Sequence, residues 1–389
     1  MAKSKKAVAK KALKQAAPGV LERPGAKPGK IDLAEVRNSI DAIDARIHAL
    51  LNERARFAQL VGISKSQSGR AVDFYRPERE AEVLRMALKR NQGPLRNEEI
   101  ARLFREIMSA CLAQQEPLKV AFLGPEGTFS QAAVIKHFGS SARALPLSAI
   151  DEVFHEVEGG VADFGVVPIE NSSEGTVNHT LDMFLTSSLK ICGEVELRIH
   201  HHLMGKMTGL EPVLRVCAHP QALAQCRLWL DEHLPEAERV PVASNAEGAR
   251  RARDERGSAA IAGNSAAEIY GLNLLANEIE DRPDNTTRFL VIGRKLFSAS
   301  GVDRTSLLVS AHGTDDAGAL FRLLEPLAAH RVNMTRIESR PSRKRKWDYV
   351  FFIDIEGHVS DAPVAQALEA LAERASLYKV LGSYPRAVQ

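Results

Sequence analysis

Apolar side chains recur at three- and four-residue steps between Asp32 and Lys65: Val36, Ile40, Ile43, Ile47, Leu50, Phe57 and Val61. This spacing draws one stripe down a helix roughly 50 Å long at about 1.5 Å per residue. Two cations stand within the stripe, Arg54 between Leu50 and Phe57 and Lys65 after Val61, while Arg37 borders it. A cation inside an apolar face is costly unless something pairs with it. One such residue reads as an internal salt bridge or a snorkelling stem; two of them point to an anionic ligand held against the helix. A second helix is predicted from Pro77, at the position proline tolerates best, to about Arg90, with Glu80 on the face of Val83, Leu84 and Ala87. A third covers 97–115 and carries Ile100, Phe104, Ile107, Cys111 and Gln115 on one face. Three helices of such unequal length leave the first stripe overhanging, and pairing of two protomers would cover it.

From Lys119 the period changes. Short apolar runs end in polar turns that open helices: Lys119–Gly124 before PEGTFS, Phe164–Val167 before PIENSSEG, Leu214–Ala218 before HPQ, and Ala259–Ala262 before GNS. This alternation predicts an α/β region with largely parallel strands and a ligand at their carboxyl ends, where helix N-termini offer free N–H groups. None of the turns matches G-x-x-x-x-G-K-[ST] or G-x-G-x-x-G. After a connector at 294–303, strand 305–311, helix 318–330, strands 333–340 and 348–355, helix 361–375 and strand 377–384 follow in the βαββαβ order of a ferredoxin-like unit.

Composition narrows the class. The chain has 389 residues, 44 % apolar and 26 % charged, without a run of membrane-spanning length. The net charge of +3 hides a basic segment, 1–30, that carries +8 and leaves the rest at −5. That tail, rich in Ala, Pro and Gly, reads as disordered, and it lacks the interleaved aromatics of a nucleic-acid binder and the apolar core of a signal peptide. Cys111, Cys192, Cys217 and Cys226 show no C-x-x-C spacing, which fits reduced thiols in the cytoplasm. His200–His202 cannot all face one way in a strand, so no metal site is expected there.

With these residues in view, 31–116 resembles the all-helical chorismate mutase family, whose small subunits interlock as dimers. The resemblance implies that Arg37, supplied by the partner subunit, holds the carboxylates of chorismate together with Arg54 and Arg79. It assigns Lys65 and Gln115 to the ether oxygen and Glu80 to the ring hydroxyl. A fixed cation beside that oxygen would stabilise the charge separation of the rearrangement to prephenate. Cys111 stands where some members have a serine. The combination of GPEGTFS at 124–130, PIENS at 168–172, HPQ at 219–221 and DNTTRF at 284–289 resembles prephenate dehydratase across 119–294, whose two-lobed fold is like that of periplasmic binding proteins. The implied donor to the leaving hydroxyl is Thr287, with Asn171, Ser172, Gln221 and Arg288 shaping the pocket. Residues 304–384 resemble ACT domains, and Gly318, Ala319, Leu320 with Glu338, Ser339, Arg340, Pro341 match the phenylalanine-binding segments of dehydratase-linked members.

The expectation is therefore a multidomain chain: a helical mutase domain, an α/β dehydratase domain and an α+β ACT domain. It would convert chorismate to prephenate and prephenate to phenylpyruvate in phenylalanine biosynthesis, with phenylalanine as feedback effector. No cofactor or metal is called for, and the assembly expected is a homodimer or a multiple of it. The rival expectations are an arogenate-preferring dehydratase and a non-catalytic sensor of aromatic metabolites.

Overall fold

The structure, a computed structural model, describes residues 32–67, 75–311, 317–342 and 349–388. The tail at 1–30 lies outside them. The long stripe forms helix α1 (Leu33–Gln67), and its apolar members stand between 43 % and 61 % exposed. Helix α2 (Pro77–Arg90) buries Ala81, Leu84 and Ala87, and α3 (Asn97–Ala113) buries Ala101 and Cys111. The third helix stops short of Gln115, which sits in the turn beyond it with its N–H on the Leu112 carbonyl. Pro117 accounts for the stop, because the residue before a proline is pushed out of the helical region.

The next region folds as two lobes. The first contains β1 (Lys119–Leu123), α4 (Phe129–Phe138), β2 (Arg143–Leu147), α5 (Ile150–Glu158), β3 (Phe164–Asn171), β4 (Gly175–Thr176), α6 (Asn178–Thr186) and β5 (Lys190–Arg198). The chain then crosses to a second lobe of β6 (His202–Gly205), β7 (Arg215–Ala218), α7 (Pro220–Gln225), α8 (Arg227–His233), β8 (Glu238–Pro241), α9 (Asn245–Asp254), β9 (Ser258–Ala262), α10 (Asn264–Tyr270) and β10 (Asn273–Ala276). It returns to the first through β11 (Thr286–Gly293). Strand order is β2-β1-β3-β11-β5, with β4 on β3, in one lobe and β10-β6-β9-β7-β8 in the other. Only the β1–β2, β1–β3, β7–β8 and β7–β9 pairs are parallel. The expected largely parallel sheet is corrected on this point. Strands adjoining the two crossings, β5, β6 and β11, run back against their neighbours and pair antiparallel. The PIEN segment also belongs to strand rather than turn, since β3 continues to Asn171 to pair with Thr287 on β11.

The last region contains β12 (Asp303–Ala311), α11 (Ala319–Ala329), β13 (Met334–Pro341), β14 (Tyr349–Glu356), α12 (Ala362–Arg374) and β15 (Ala375–Pro385), with sheet order β13-β14-β12-β15. The two-residue period of β12 divides its apolar side chains. Leu307 and Val309 face Leu323, Leu327, Leu368 and Leu371 of the two helices. Leu308, with Phe352, Leu381 and Tyr384, enters a cluster with Ile169, Leu181, Phe184 and Ile191 of the first lobe. No described helix is long and apolar enough to cross a membrane.

Candidate active site

Between the two lobes lies a cavity of about 420 Å³ lined by the carboxyl ends of strands and the starts of helices. Its polar lining includes Thr128, Ser148, Asn171, His201, His219, Gln221, Gln225, Ser244, Asn245, Asn285 and Thr287. Among the described residues that line it there is no Lys, Arg, Asp or Glu. Thr128 and Ser244 each cap a ten-residue helix, α4 and α9, accepting from the N–H groups of Gln131 and Glu247. The positive ends of both helices therefore meet the cavity, which suits an anion held by neutral donors. The approach is close at Gly127, whose φ is +85° and where a Cβ would meet the Tyr270 ring at 3.0 Å.

The orientation of Thr287 can be derived from the backbone. Asn171 Oδ1 accepts from the N–H groups of Ser173 (2.9 Å) and Glu174 (3.1 Å), so the other end of this side chain is the amide donor. That Nδ2 donates to Thr287 Oγ1 at 2.8 Å and to Asn285 Oδ1 at 2.9 Å. Asn285 Nδ2 then donates to Gln225 Oε1 (3.1 Å), which also receives His201 Nε2 at 2.9 Å. Two backbone N–H groups thus fix the direction of the chain through to His201, whose burial lowers its pKa and favours the neutral ring with its proton on Nε2. The oxygen of Thr287 already receives a proton, so its own O–H is left to donate into the cavity. Asn171→Asp would reverse this, since a second carboxylate oxygen would draw the threonine proton to itself. We expect dehydratase turnover to fall about 100-fold in that variant, read as kcat at saturating substrate; a fall of less than threefold would contradict the assignment of direction.

Of the expected pocket residues, the structure brings Asn171, Gln221 and Thr287 into the cavity. Ser172 stands behind them, its hydroxyl accepting from Thr286 N–H at 2.9 Å and donating to Asn285. Arg288 does not belong to the lining, which corrects the expectation that it shapes the pocket. Next to Thr287 on a strand, it points to the opposite face and pairs with Glu194 and Asp354. Three residues of the hydrogen-bond chain were missed. Asn285 lay inside the quoted DNTTRF segment, Gln225 lies one helical turn after Gln221 and so shares its face, and only His201 gave no local signal. The neighbouring imidazoles diverge, with His200 on Glu280 and His202 Nδ1 accepting from Glu278 N–H. No cluster suited to a metal ion occurs among the described residues.

Each helical candidate has surroundings of its own. Arg37 is exposed, Arg54 is half-buried, and the side chain of Lys65 falls outside the described residues. Arg79 points outward to Glu82, whereas Gln115 Nε2 donates to the Ala58 carbonyl at 2.6 Å beside Gly62. Glu80 turns inward to a small cavity of about 60 Å³ with Tyr75, Arg105 and His137. Burial raises its pKa to about 7, only partly opposed by Arg105 at 4.0 Å and by a bond from Tyr75. His137 is held neutral by burial and by Arg105, its pKa lowered to about 3, and its Nε2 lies 2.9 Å from Tyr75 OH.

The Glu80 shift has a stability consequence. The folded chain keeps its proton between the ordinary carboxyl range and about pH 7, so stability falls as pH rises through that window, by about 3 kcal/mol in all. Glu80→Gln should therefore melt roughly 5 °C above the parent at pH 8 and level with it at pH 4. Equal differences at both pH values in scanning calorimetry would refute burial as the cause.

The effector candidates occupy two places. Gly318, with φ +81°, opens α11, and Ala319 and Leu320 form its first turn. On β13, Glu338 accepts from the Thr176 hydroxyl at 2.9 Å and Arg340 pairs with Asp182 at 2.8 Å, while Ser339 and Pro341 are exposed.

Comparison with known proteins agrees with this arrangement along the whole folded chain. Family models described as chorismate mutase type II, prephenate dehydratase and ACT domain match residues 36–116, 120–296 and 305–373. A bifunctional chorismate mutase/prephenate dehydratase of Pseudomonas aeruginosa is 55 % identical over 360 residues, covering 92 % of this chain and 98 % of that protein. The crystal structure of an Arthrobacter aurescens prephenate dehydratase in complex with L-Phe superposes with a TM-score of 0.65 at 39 % identity, over 69 % of this chain and 90 % of that one. GqqA, described as a novel type of quorum-quenching acylase, superposes with a TM-score of 0.64 at 31 % identity, over 69 % of this chain and 98 % of that one. The two solved structures each match 69 % of this chain but carry different activities in their descriptions, so the fold alone does not choose between them. The match over helices, lobes and last sheet together does: the chain belongs to the bifunctional chorismate mutase/prephenate dehydratase family.

Proposed function

We propose that the chain rearranges chorismate to prephenate in its helical segment and converts prephenate to phenylpyruvate between the two lobes, with phenylalanine acting as effector through the last sheet. The observation that carries the second reaction is the Thr287 hydroxyl, which faces the cavity with its oxygen already bonded by Asn171 Nδ2. Prephenate loses its ring carboxylate as carbon dioxide. The electron pair of that C–C bond enters the ring, and the ring hydroxyl leaves, taking one proton to become water. The ring becomes aromatic, which supplies the driving force. The protein has to hold two carboxylates and assist the hydroxyl, tasks for helix N-termini and neutral donors rather than for a strong nucleophile.

In the helical segment, Arg54, Lys65, Glu80 and Gln115, with Arg37 from a second protomer and Arg79, would surround chorismate. The separate contacts of Arg79, Glu80 and Gln115 in the single chain, and the exposed stripe of α1, support a mutase site completed by dimer formation. Supplying chorismate and following prephenate and phenylpyruvate, with and without phenylalanine, tests the whole reading. Phenylpyruvate should form, and phenylalanine should slow the second step. Phenylalanine binding without turnover would instead identify a sensor, and faster conversion of arogenate than of prephenate would change the substrate.

A further inference from the structure

The side of β11 opposite the cavity carries an ion network that joins the catalytic strand to the last sheet. Arg288 Nε donates to Glu194 Oε2 at 2.9 Å, Nη1 to Asp354 Oδ2 at 2.7 Å, and Nη2 to Tyr384 OH at 3.1 Å. Asp354 also accepts the Ser306 hydroxyl at 2.5 Å, and Ser306 lies 2.8 Å from Tyr384 OH. Glu194 further receives Arg304 and, at 3.1 Å, the backbone N–H of Ala387. Two guanidiniums thus face two carboxylates, all nearly buried, with side-chain exposures of 12 % for Arg288 and 1 % for Glu194. Arg304 and Ser306 come from β12, Asp354 from β14 and Tyr384 from β15, so three strands of the last sheet enter the network, two of them bonding Arg288 itself and β12 reaching it through Glu194 and Asp354.

We propose that Arg288 is a positioning residue for Thr287 and the link through which the last sheet acts on the cavity. The proposal rests on the reading of residues 305–373 as the effector domain. A guanidinium is a rigid planar fork, and here each of its three nitrogens donates to a partner, the partners coming from two domains. A shift of the last sheet against the first lobe must either break one of these bonds or carry Arg288 with it. One peptide bond away, Thr287 is bonded to Asn171 across the sheet and has to place its hydroxyl on the substrate. A misplacement of about 1 Å at such a group is enough to cost about 100-fold in rate. Effector binding that moves the last sheet thereby changes turnover without touching the cavity, where none of the described lining residues belongs to that sheet. Arg288 does this without meeting substrate, which explains why an arginine next to the catalytic threonine is absent from the cavity of an enzyme for a dianion.

The test uses the full chain, with its mutase rate as the internal standard for folded protein. Asp354→Asn removes the charge on the effector side only, and Arg288→Lys keeps the cation but not the fork. Each should lower dehydratase kcat about tenfold at unchanged prephenate KM, and each should raise the phenylalanine concentration for half-inhibition about tenfold, leaving the mutase rate unaltered. A raised KM with kcat preserved in Arg288→Lys would overturn the proposal, because it would make Arg288 a substrate contact. Lower melting temperature with kcat, KM and phenylalanine response all unchanged would also overturn it, leaving a purely structural ion cluster. Inertness of the parent chain toward prephenate would instead overturn the reading beneath it, and that assay is made before any variant.

Discussion

Thr287→Ala is expected to leave the chorismate step unchanged and to slow the prephenate step by about 10²–10³-fold, so that prephenate accumulates. The estimate follows from removing one preoriented donor from a departing hydroxyl. A water admitted in its place could accept the same bond from Asn171 but would lack the covalent tether that fixes the threonine oxygen. Thr287→Ser, which retains that oxygen and its proton, should keep most of the activity. Both variants are read in one coupled assay that follows prephenate and phenylpyruvate. Turnover within threefold of the parent for the alanine variant would remove Thr287 from the chemistry and with it the reason given for the orientation of Asn171.

The second large effect concerns α1. Ile43 and Ile47 are 51 % and 48 % exposed, one turn apart, in the middle of the stripe. In a chain that stays single, aspartates there would face water and change little. In a dimer each substitution occurs twice and buries carboxylates against apolar surface, which costs several kcal/mol per site. The double variant Ile43→Asp, Ile47→Asp should therefore sediment as a monomer, lose mutase activity by at least about 10³-fold because Arg37 is no longer delivered to a neighbour, and keep dehydratase turnover within about threefold. Full mutase activity in a sedimenting monomer would exclude a shared site.

Much of this architecture is legible in the sequence, and the reasons differ by element. The stripe of α1 was legible because a three- and four-residue period survives exposure, and its lack of cover in one chain is the same fact seen in space. The βαββαβ order was legible because its strands alternate and its helices carry apolar faces. The direction of β11 was not, since an isolated apolar strand has no polarity until its neighbours are known. Arg288 was misplaced for a related reason: motif proximity puts it beside Thr287, whereas the two-residue period of a strand sends it to the other face. His201 was illegible because its role depends on Gln225, 24 residues on, and on an orientation set by two N–H groups 28 and 27 residues before it. The inward turn of Glu80 was legible, since helical spacing puts it on the face of Leu84 and Ala87, but its partners Arg105 and Tyr75 were not, because they come from other segments of the chain.

Leu308, Val350, Phe352, Leu381 and Tyr384 lie in one apolar cluster with Phe154, Ile169, Leu181 and Phe184. The last sheet thus supplies five of the nineteen buried residues of a core that otherwise belongs to the dehydratase lobe, so the connector after β11 marks a border in sequence that the packing crosses. Parts that share a core melt together. A chain ending before β12 would leave the part of that core packed on the last sheet open to water, a surface prone to self-association. Truncation before β12 therefore does two things at once, removing the effector domain and uncovering part of the catalytic core, whereas single substitutions in the last sheet alter the response with that core still closed.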